Sequence, residues 1–73
     1  MKPYNQIIKE LREDKDIKQV DIAQYLNITK QQYSLYETGK RDFKITHIKD
    51  IAVFFNVSAD YILGLPELPY PKW

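Results

Sequence analysis

Hydrophobic residues recur along this chain at the three- and four-residue spacing of one helix face, and strict alternation over a strand length is absent. The pattern predicts five helices and no sheet, with expected ranges of about 5–15, 19–26, 30–37, 45–55 and 59–63. The residues expected to face inward are Ile7, Ile8 and Leu11 in the first helix, Ile22, Ala23 and Leu26 in the second, Tyr33 and Tyr36 in the third, and Ile45, Ile48, Ile51, Ala52 and Phe55 in the fourth.

Polar residues and glycines mark where these helices begin and end. Thr29 and Gln32 have the spacing of a capping box, and Ser58 is a good N-cap for the last helix. Lys18 is a poor N-cap, so the start of the second helix is less sharply defined. The predicted stops are residues that tolerate the left-handed backbone conformation, namely Asn27, Gly39, Asn56 and Gly64.

Length and composition predict one small domain over residues 1–64, followed by a proline-rich tail over residues 65–73. The tail carries Pro66, Pro69 and Pro71 among apolar residues, and we interpret part of it as folding back on the core. The alternative is that the tail or the fifth helix makes a subunit contact. No apolar run has membrane-spanning length and the first residues do not form a signal peptide, so a soluble cytoplasmic protein is expected.

The composition also argues against catalysis. The chain has no Cys and one His, and it contains no Gly-rich phosphate loop or paired nucleophile and base. We therefore expect no catalytic residues, no metal site and no cofactor. His47 is expected at the surface of the first turn of its helix, with no catalytic or metal-binding partner.

Only three residues, Asn27 to Thr29, join the second and third helices. The small side chain of Ala23 lets the next helix approach closely, as in a helix-turn-helix. A helix that projects from the body in this way fits the major groove of B-DNA, which is about 12 Å wide.

The whole pattern resembles the phage-repressor/Cro-type helix-turn-helix domain, the XRE family. The resemblance runs from about Ile7 to Gly64 and is carried by "IKELREDKDIKQ", by Ala23 and Leu26, by "ITKQQYSLYETGKR" and by "HIKDIAVFFNVSADYILG". It implies an all-α fold, a compact five-helix bundle containing a helix-turn-helix (the lambda-repressor-like DNA-binding fold). The sequence departs from the family at Lys18, where Ser or Thr is common, at Phe43, where Pro is common, and at Leu35, where a polar or charged residue is usual. The family also often has Gly at the places of Asp16, Asn27 and Asn56.

The resemblance implies a function as well. It suggests a sequence-specific DNA-binding transcriptional regulator, bacterial or phage-encoded, that acts as a repressor. Such a protein would bind double-stranded DNA as a homodimer at a two-fold symmetric site. The alternative is a protein-interaction module with a small protein partner, such as an antitoxin or an anti-repressor target, and copurification of that partner would distinguish the two.

Site residues follow from matching this sequence to the family pattern. The outward face of the third helix would contact bases, and its members are Lys30, Gln31, Ser34 and Leu35. Phosphate contacts would come from Gln19, Thr38, Lys40 and Arg41, and Arg12 would pair with Glu37 as a structural brace. Lys and Gln suit guanine and adenine edges, and Leu can pack on a thymine methyl. The competing interpretation is that the face is merely solvated, as on any amphipathic helix.

Overall fold

The computed structural model describes residues 3–64 and contains five α-helices and no strand in that range. The helices are α1 (Tyr4–Asp14), α2 (Gln19–Tyr25), α3 (Lys30–Glu37), α4 (Ile45–Phe55) and α5 (Ala59–Leu63). The prediction of an all-α fold is confirmed, and only α1 and the end of α2 differ from the expected bounds, by one residue. Within the described range, no helix is long and apolar enough to cross a membrane. Both interpretations of the 65–73 tail fall outside the described residues.

The core forms where the inward faces of the helices meet. Its fully buried members include Ile8, Ile22, Tyr33, Ile51 and Ile62, so all five helices contribute to it. Helix α1 packs on α3 and α5, α2 packs on α3, and α4 packs on α5. The inward positions predicted for α2 and α3 are confirmed, because Ile22, Ala23, Leu26, Tyr33 and Tyr36 are all buried.

Ile45 was predicted to face inward, and this was wrong, because 79% of the residue is exposed. Ile45 is the first residue of α4. Side chains on a helix tilt toward its N-terminus, so that of a first residue leans away from the helix body. The buried face of α4 consequently begins one turn later, at Ile48.

Phe43 occupies a core position that the sequence pattern did not reveal, since it lies in the connection between α3 and α4. It is 7% exposed, and its ring centroid lies 5.2 Å from that of Tyr36, 6.0 Å from that of Tyr33 and 6.2 Å from that of Tyr4. Aromatic pairs at these distances contribute beyond the burial of area alone. Phe43 therefore anchors the connection to α1 and α3.

His47 is half-buried and packs against aromatic rings, which corrects the expectation of a surface residue. Its ring lies edge-on to Tyr36 with centroids 5.2 Å apart, and its Nδ1 accepts a hydrogen bond from the backbone N–H of Lys44 at 3.4 Å. Partial burial and the positive charge of Lys44 lower the pKa of His47. The neutral imidazole, which can accept this bond, is thus the favoured form.

Helices α1 to α4 end in the same way, with one residue in the left-handed conformation. These residues are Asp16, Asn27, Gly39 and Asn56, with φ between 55° and 82°. At the end of α2, the N–H of Asn27 donates to Gln24 O at 3.1 Å, and the N–H of Ile28 donates to Ala23 O at 3.0 Å. This is the hydrogen-bond pattern of the Schellman motif, which satisfies the last carbonyl groups of a helix. The stop predicted at Asn27 is confirmed.

The capping box predicted at the start of α3 is present. The N–H of Gln32 donates to Thr29 Oγ1 at 3.1 Å, and the N–H of Thr29 donates to Gln32 Oε1 at 3.1 Å. Two otherwise unsatisfied donors are thereby paired. Since α2 stops at Asn27 and α3 is capped at Thr29, local hydrogen bonds define both sides of the corner between the two helices.

Candidate nucleic-acid interface

Helix α3 has one face in the core and the other toward solvent. Tyr33 and Tyr36 lie on the inner face and are buried. The opposite side, here called the α3 outer stripe, consists of Lys30, Gln31, Ser34 and Leu35, of which the first two are exposed and the last two half-buried. The first turn of α3 is therefore the part most open to a partner.

Two adjacent glutamines at this end of the helix have different environments. The amide of Gln32 is engaged in the capping box, where its Oε1 accepts the N–H of Thr29. Gln31 is exposed, one position earlier on the helix. Its amide can present a donor and an acceptor together, the combination that pairs with an adenine edge.

A nearly buried ion pair joins α1 to the last residue of α3. Arg12 Nε donates to Glu37 Oε2 at 2.8 Å, and Arg12 Nη2 donates to Glu37 Oε1 at 2.9 Å. Arg12 Nη1 also donates to the backbone oxygen of Ile17 at 2.8 Å. The exposed fraction is 13% for the arginine side chain and 2% for the glutamate side chain. The planar fork of arginine suits this arrangement, because it can engage both carboxylate oxygens and a third acceptor at once.

The pair keeps both groups charged in a poorly hydrated place. Burial alone would raise the pKa of Glu37, but the hydrogen bonds from Arg12 and Gln19 outweigh burial and lower it. The Arg12 pKa is raised above its already high ordinary value, chiefly by the hydrogen bond to Glu37. The hydroxyl of Tyr33 is buried nearby, and burial together with the Glu37 carboxylate raises its pKa, so it stays neutral.

Gln19, the first residue of α2, also contacts this ion pair. Its Nε2 donates to Glu37 Oε1 at 3.0 Å, and the residue is half-buried. Sequence reasoning assigned Gln19 to phosphate and missed this bond, which joins residues 18 positions apart and leaves no local signal. An amide NH₂ group has two N–H bonds, so one can still reach an outside acceptor while the other holds Glu37.

The connection that follows α3, here called the α3–α4 loop (residues 38–44), carries an exposed pair of cations. Lys40 and Arg41 are exposed, and their backbone N–H groups both donate to Leu35 O, at 3.0 and 3.1 Å. The backbone at these two positions is thus tied to α3, while their cationic side chains are exposed to an approaching anion.

Thr38, at the start of this loop, is exposed, but its hydroxyl is already engaged. It donates to Ser34 O at 2.8 Å. A phosphate oxygen can only accept a hydrogen bond, so a phosphate contact from this hydroxyl would require it to leave Ser34 O. Gln19 has a second amide N–H for an outside acceptor, whereas the Thr38 hydroxyl has only one proton to donate.

Comparison with known proteins places the chain in a family. The sequence profile described as "Helix-turn-helix" matches residues 8–62, so the chain belongs to the helix-turn-helix family of the XRE type. The resemblance inferred from the sequence is confirmed. The family is of a type that binds DNA and regulates transcription.

Individual relatives agree with this assignment. The chain is 32% identical over 69 residues to an uncharacterized HTH-type transcriptional regulator, YobD, of Bacillus subtilis (strain 168), covering 94% of this chain and 62% of the relative. It is 32% identical over 60 residues to YqaE of the same strain, which has the same description, covering 82% of this chain and 52% of the relative. The chain thus spans between half and about three-fifths of these curated relatives.

A solved structure has the same fold. The crystal structure of a transcriptional regulator from Listeria innocua superposes with a TM-score of 0.81 at 20% identity, over 94% of this chain and 64% of that one. At this sequence identity the similarity supports the fold alone. Together with the family match, it identifies α2, the turn and α3 as a helix-turn-helix.

Proposed function

We propose that this chain is a sequence-specific DNA-binding transcriptional regulator that reads the major groove with α3. The observation that carries the proposal is the open first turn of α3, with Lys30 and Gln31 exposed, beside a loop with exposed Lys40 and Arg41. A polar helix face beside a cationic loop suits B-DNA, where base edges lie in a groove between two phosphate backbones. Family membership and the descriptions of the relatives support the same function.

Base reading is assigned to the α3 outer stripe. Gln31 would bond an adenine edge and Lys30 would donate to guanine, while Ser34 can act as a donor or an acceptor. Leu35, half-buried at the rear of the stripe, would pack on a thymine methyl.

Contacts with the DNA phosphate backbone are assigned to residues on both sides of the stripe. Lys40 and Arg41 would neutralise phosphates, and Gln19 would donate its second amide N–H from the start of α2, where the helix dipole favours an anion. Thr38 would join them by giving up its bond to Ser34 O. The Arg12–Glu37 pair would hold α3 against α1 without contacting bases.

We further propose that the protein acts in the bacterial cytoplasm as a homodimer and represses transcription from a two-fold symmetric site. One small module makes few base contacts, and two copies on a symmetric site double them. The resemblance to phage repressors supports repression, and the relatives from Bacillus subtilis support a bacterial host.

Replacing Gln31 with Ala should weaken binding to the preferred site by about 1–3 kcal/mol and relax discrimination at one base pair. Binding to unrelated duplexes should hardly change, because phosphate contacts supply that part of the affinity. Affinities for the preferred site, its single-base variants and a random duplex, at one salt concentration, test this prediction. If all duplexes are weakened equally, Gln31 contacts the DNA backbone instead of a base. If no affinity changes, the outer stripe at Gln31 is only a solvated helix face.

Arg41→Ala should have the opposite profile. It should weaken preferred and unrelated duplexes by a similar factor and reduce the slope of log affinity against log salt by about one unit. Selection from a random duplex pool supplies the preferred site, and a salt titration supplies the slope. Absence of binding to any duplex in the pool would overturn the proposed function and favour the protein-interaction alternative.

A further inference from the structure

The first turn of α1 contacts the end of α3 and the far part of the α3–α4 loop. Asn5 Nδ2 donates to the backbone oxygen of Glu37 at 3.1 Å, across 32 residues of sequence. The hydroxyl of Tyr4 donates to Asp42 Oδ1 at 3.3 Å, across 38 residues. Lys40 and Arg41 lie between these two anchor points.

The space for the first of these contacts exists because residue 39 is Gly. Its φ of +82° is a conformation that other residues adopt with strain, and a Cβ at this position would lie 3.2 Å from Asn5 Nδ2. Gly39 therefore both turns the chain out of α3 and leaves room for the Asn5 amide.

The second contact is supported by ring packing. The Tyr4 ring lies 6.2 Å from the buried ring of Phe43, measured between centroids. Phe43 fixes the chain directly after Asp42, so the Tyr4 hydroxyl meets a carboxylate whose backbone is already held. The two anchors and the bonds to Leu35 O together constrain the loop on both sides of Lys40 and Arg41.

We propose that Tyr4 and Asn5 are positioning residues for phosphate binding, because they fix the backbone that carries Lys40 and Arg41 before DNA arrives. This inference rests on the proposed function and adds residues on α1 to the interface without giving them a contact with DNA. A loop that is already ordered avoids the cost of ordering on binding, which is otherwise subtracted from the affinity.

The test uses a clamp variant in which both anchors are removed, Tyr4→Phe with Asn5→Ala. It should bind the preferred site and a random duplex about 2–10-fold more weakly, the range expected for ordering one or two side chains and their loop. The ratio of the two affinities should stay as in the wild type, since Gln31 is untouched. Tyr25→Phe is the matched control, because it removes a hydroxyl from an exposed tyrosine at the end of α2 and should leave both affinities unchanged.

A double-mutant cycle distinguishes positioning from general destabilisation. In a protein that already carries Lys40→Ala and Arg41→Ala, the clamp substitutions should weaken DNA binding less than about twofold, because the two cations between the anchors are absent. A merely structural effect would persist in that background. The single variant Tyr4→Phe keeps the ring that packs on Phe43, so it remains folded and supplies an independent measurement, with an expected loss of about twofold.

If the wild type binds DNA and the clamp variant binds with the same affinity, the inference is wrong. It is also wrong if the clamp substitutions weaken binding equally with and without Lys40 and Arg41. Either result would leave the proposed function standing. Failure of the wild type itself to bind any duplex would overturn the proposed function, and the inference with it.

Discussion

Arg12→Met should lower the free energy of unfolding by about 3–5 kcal/mol, the loss expected when one partner of a buried ion pair is removed. The glutamate side chain is only 2% exposed, and two of its hydrogen bonds come from Arg12. Without the guanidinium, the carboxylate would stay buried without its two charged hydrogen bonds, and the backbone oxygen of Ile17 would lose its bond as well. Urea unfolding of wild type and variant measures the difference.

Two further proteins make this measurement specific. Arg41→Met applies the same substitution to an exposed residue and should change the free energy of unfolding little. Arg12→Met combined with Glu37→Leu should recover most of the loss, because removing both charges removes the desolvation problem. If the double variant is no more stable than Arg12→Met alone, the charges are not coupled as the geometry indicates.

Acidification provides a second check on the same pair. The pKa of Glu37 is lowered in the folded protein, so its contribution to stability is fully present above the ordinary pKa of a glutamate, about 4.3. It is lost as the pH falls below that value and through the lowered pKa. The double variant should therefore lose less stability than the wild type below about pH 4.3.

Phe43→Ala should cost about 3–5 kcal/mol, as expected when a buried aromatic side chain is removed and a cavity remains. Phe43 lies among the rings of Tyr4, Tyr33 and Tyr36, which belong to two different helices and cannot easily collapse into the vacated space. The measurement is again the free energy of unfolding from urea titration.

Tyr61→Ala serves as the control for Phe43→Ala, because it also truncates an aromatic side chain but at a position that is 56% exposed. Its cost should be much smaller. Similar losses for the two variants would mean that the ring cluster around Phe43 contributes no more than ordinary surface packing.

Features decided by short stretches of sequence were predictable. The stop at Asn27 and the capping box of Thr29 and Gln32 depend on neighbours within five residues, and both are present. The inward faces of α2 and α3 followed from helical spacing, since the period of a helix is known in advance. The same spacing gave the outer stripe, and which of its members contact a base stays a prediction.

Features that depend on distant parts of the chain were not predictable in this way. To place Phe43 in the core, one must know that Tyr4, 39 residues earlier, lies beside it. The bond from Gln19 to Glu37 likewise joins the start of α2 to the end of α3. Helical spacing also predicted wrongly that Ile45 is buried. Spacing gives the direction of a side chain but does not show whether another helix packs against it. The Arg12–Glu37 pair was expected only through resemblance to a family, and its third bond, to Ile17, was not foreseen.

The Arg12–Glu37 pair also restricts how this sequence can evolve. Changing either residue alone leaves a buried charge without its partner, and a loss of about 3–5 kcal/mol is a large fraction of the stability of a small domain. An uncharged pair could be equally stable, yet every single-step route to it passes through a protein that folds poorly. Among descendants of this sequence, the residues at positions 12 and 37 should therefore persist together or change together. The ion pair is retained because the single-substitution intermediates are unstable, even where it is no more stabilising than an uncharged pair.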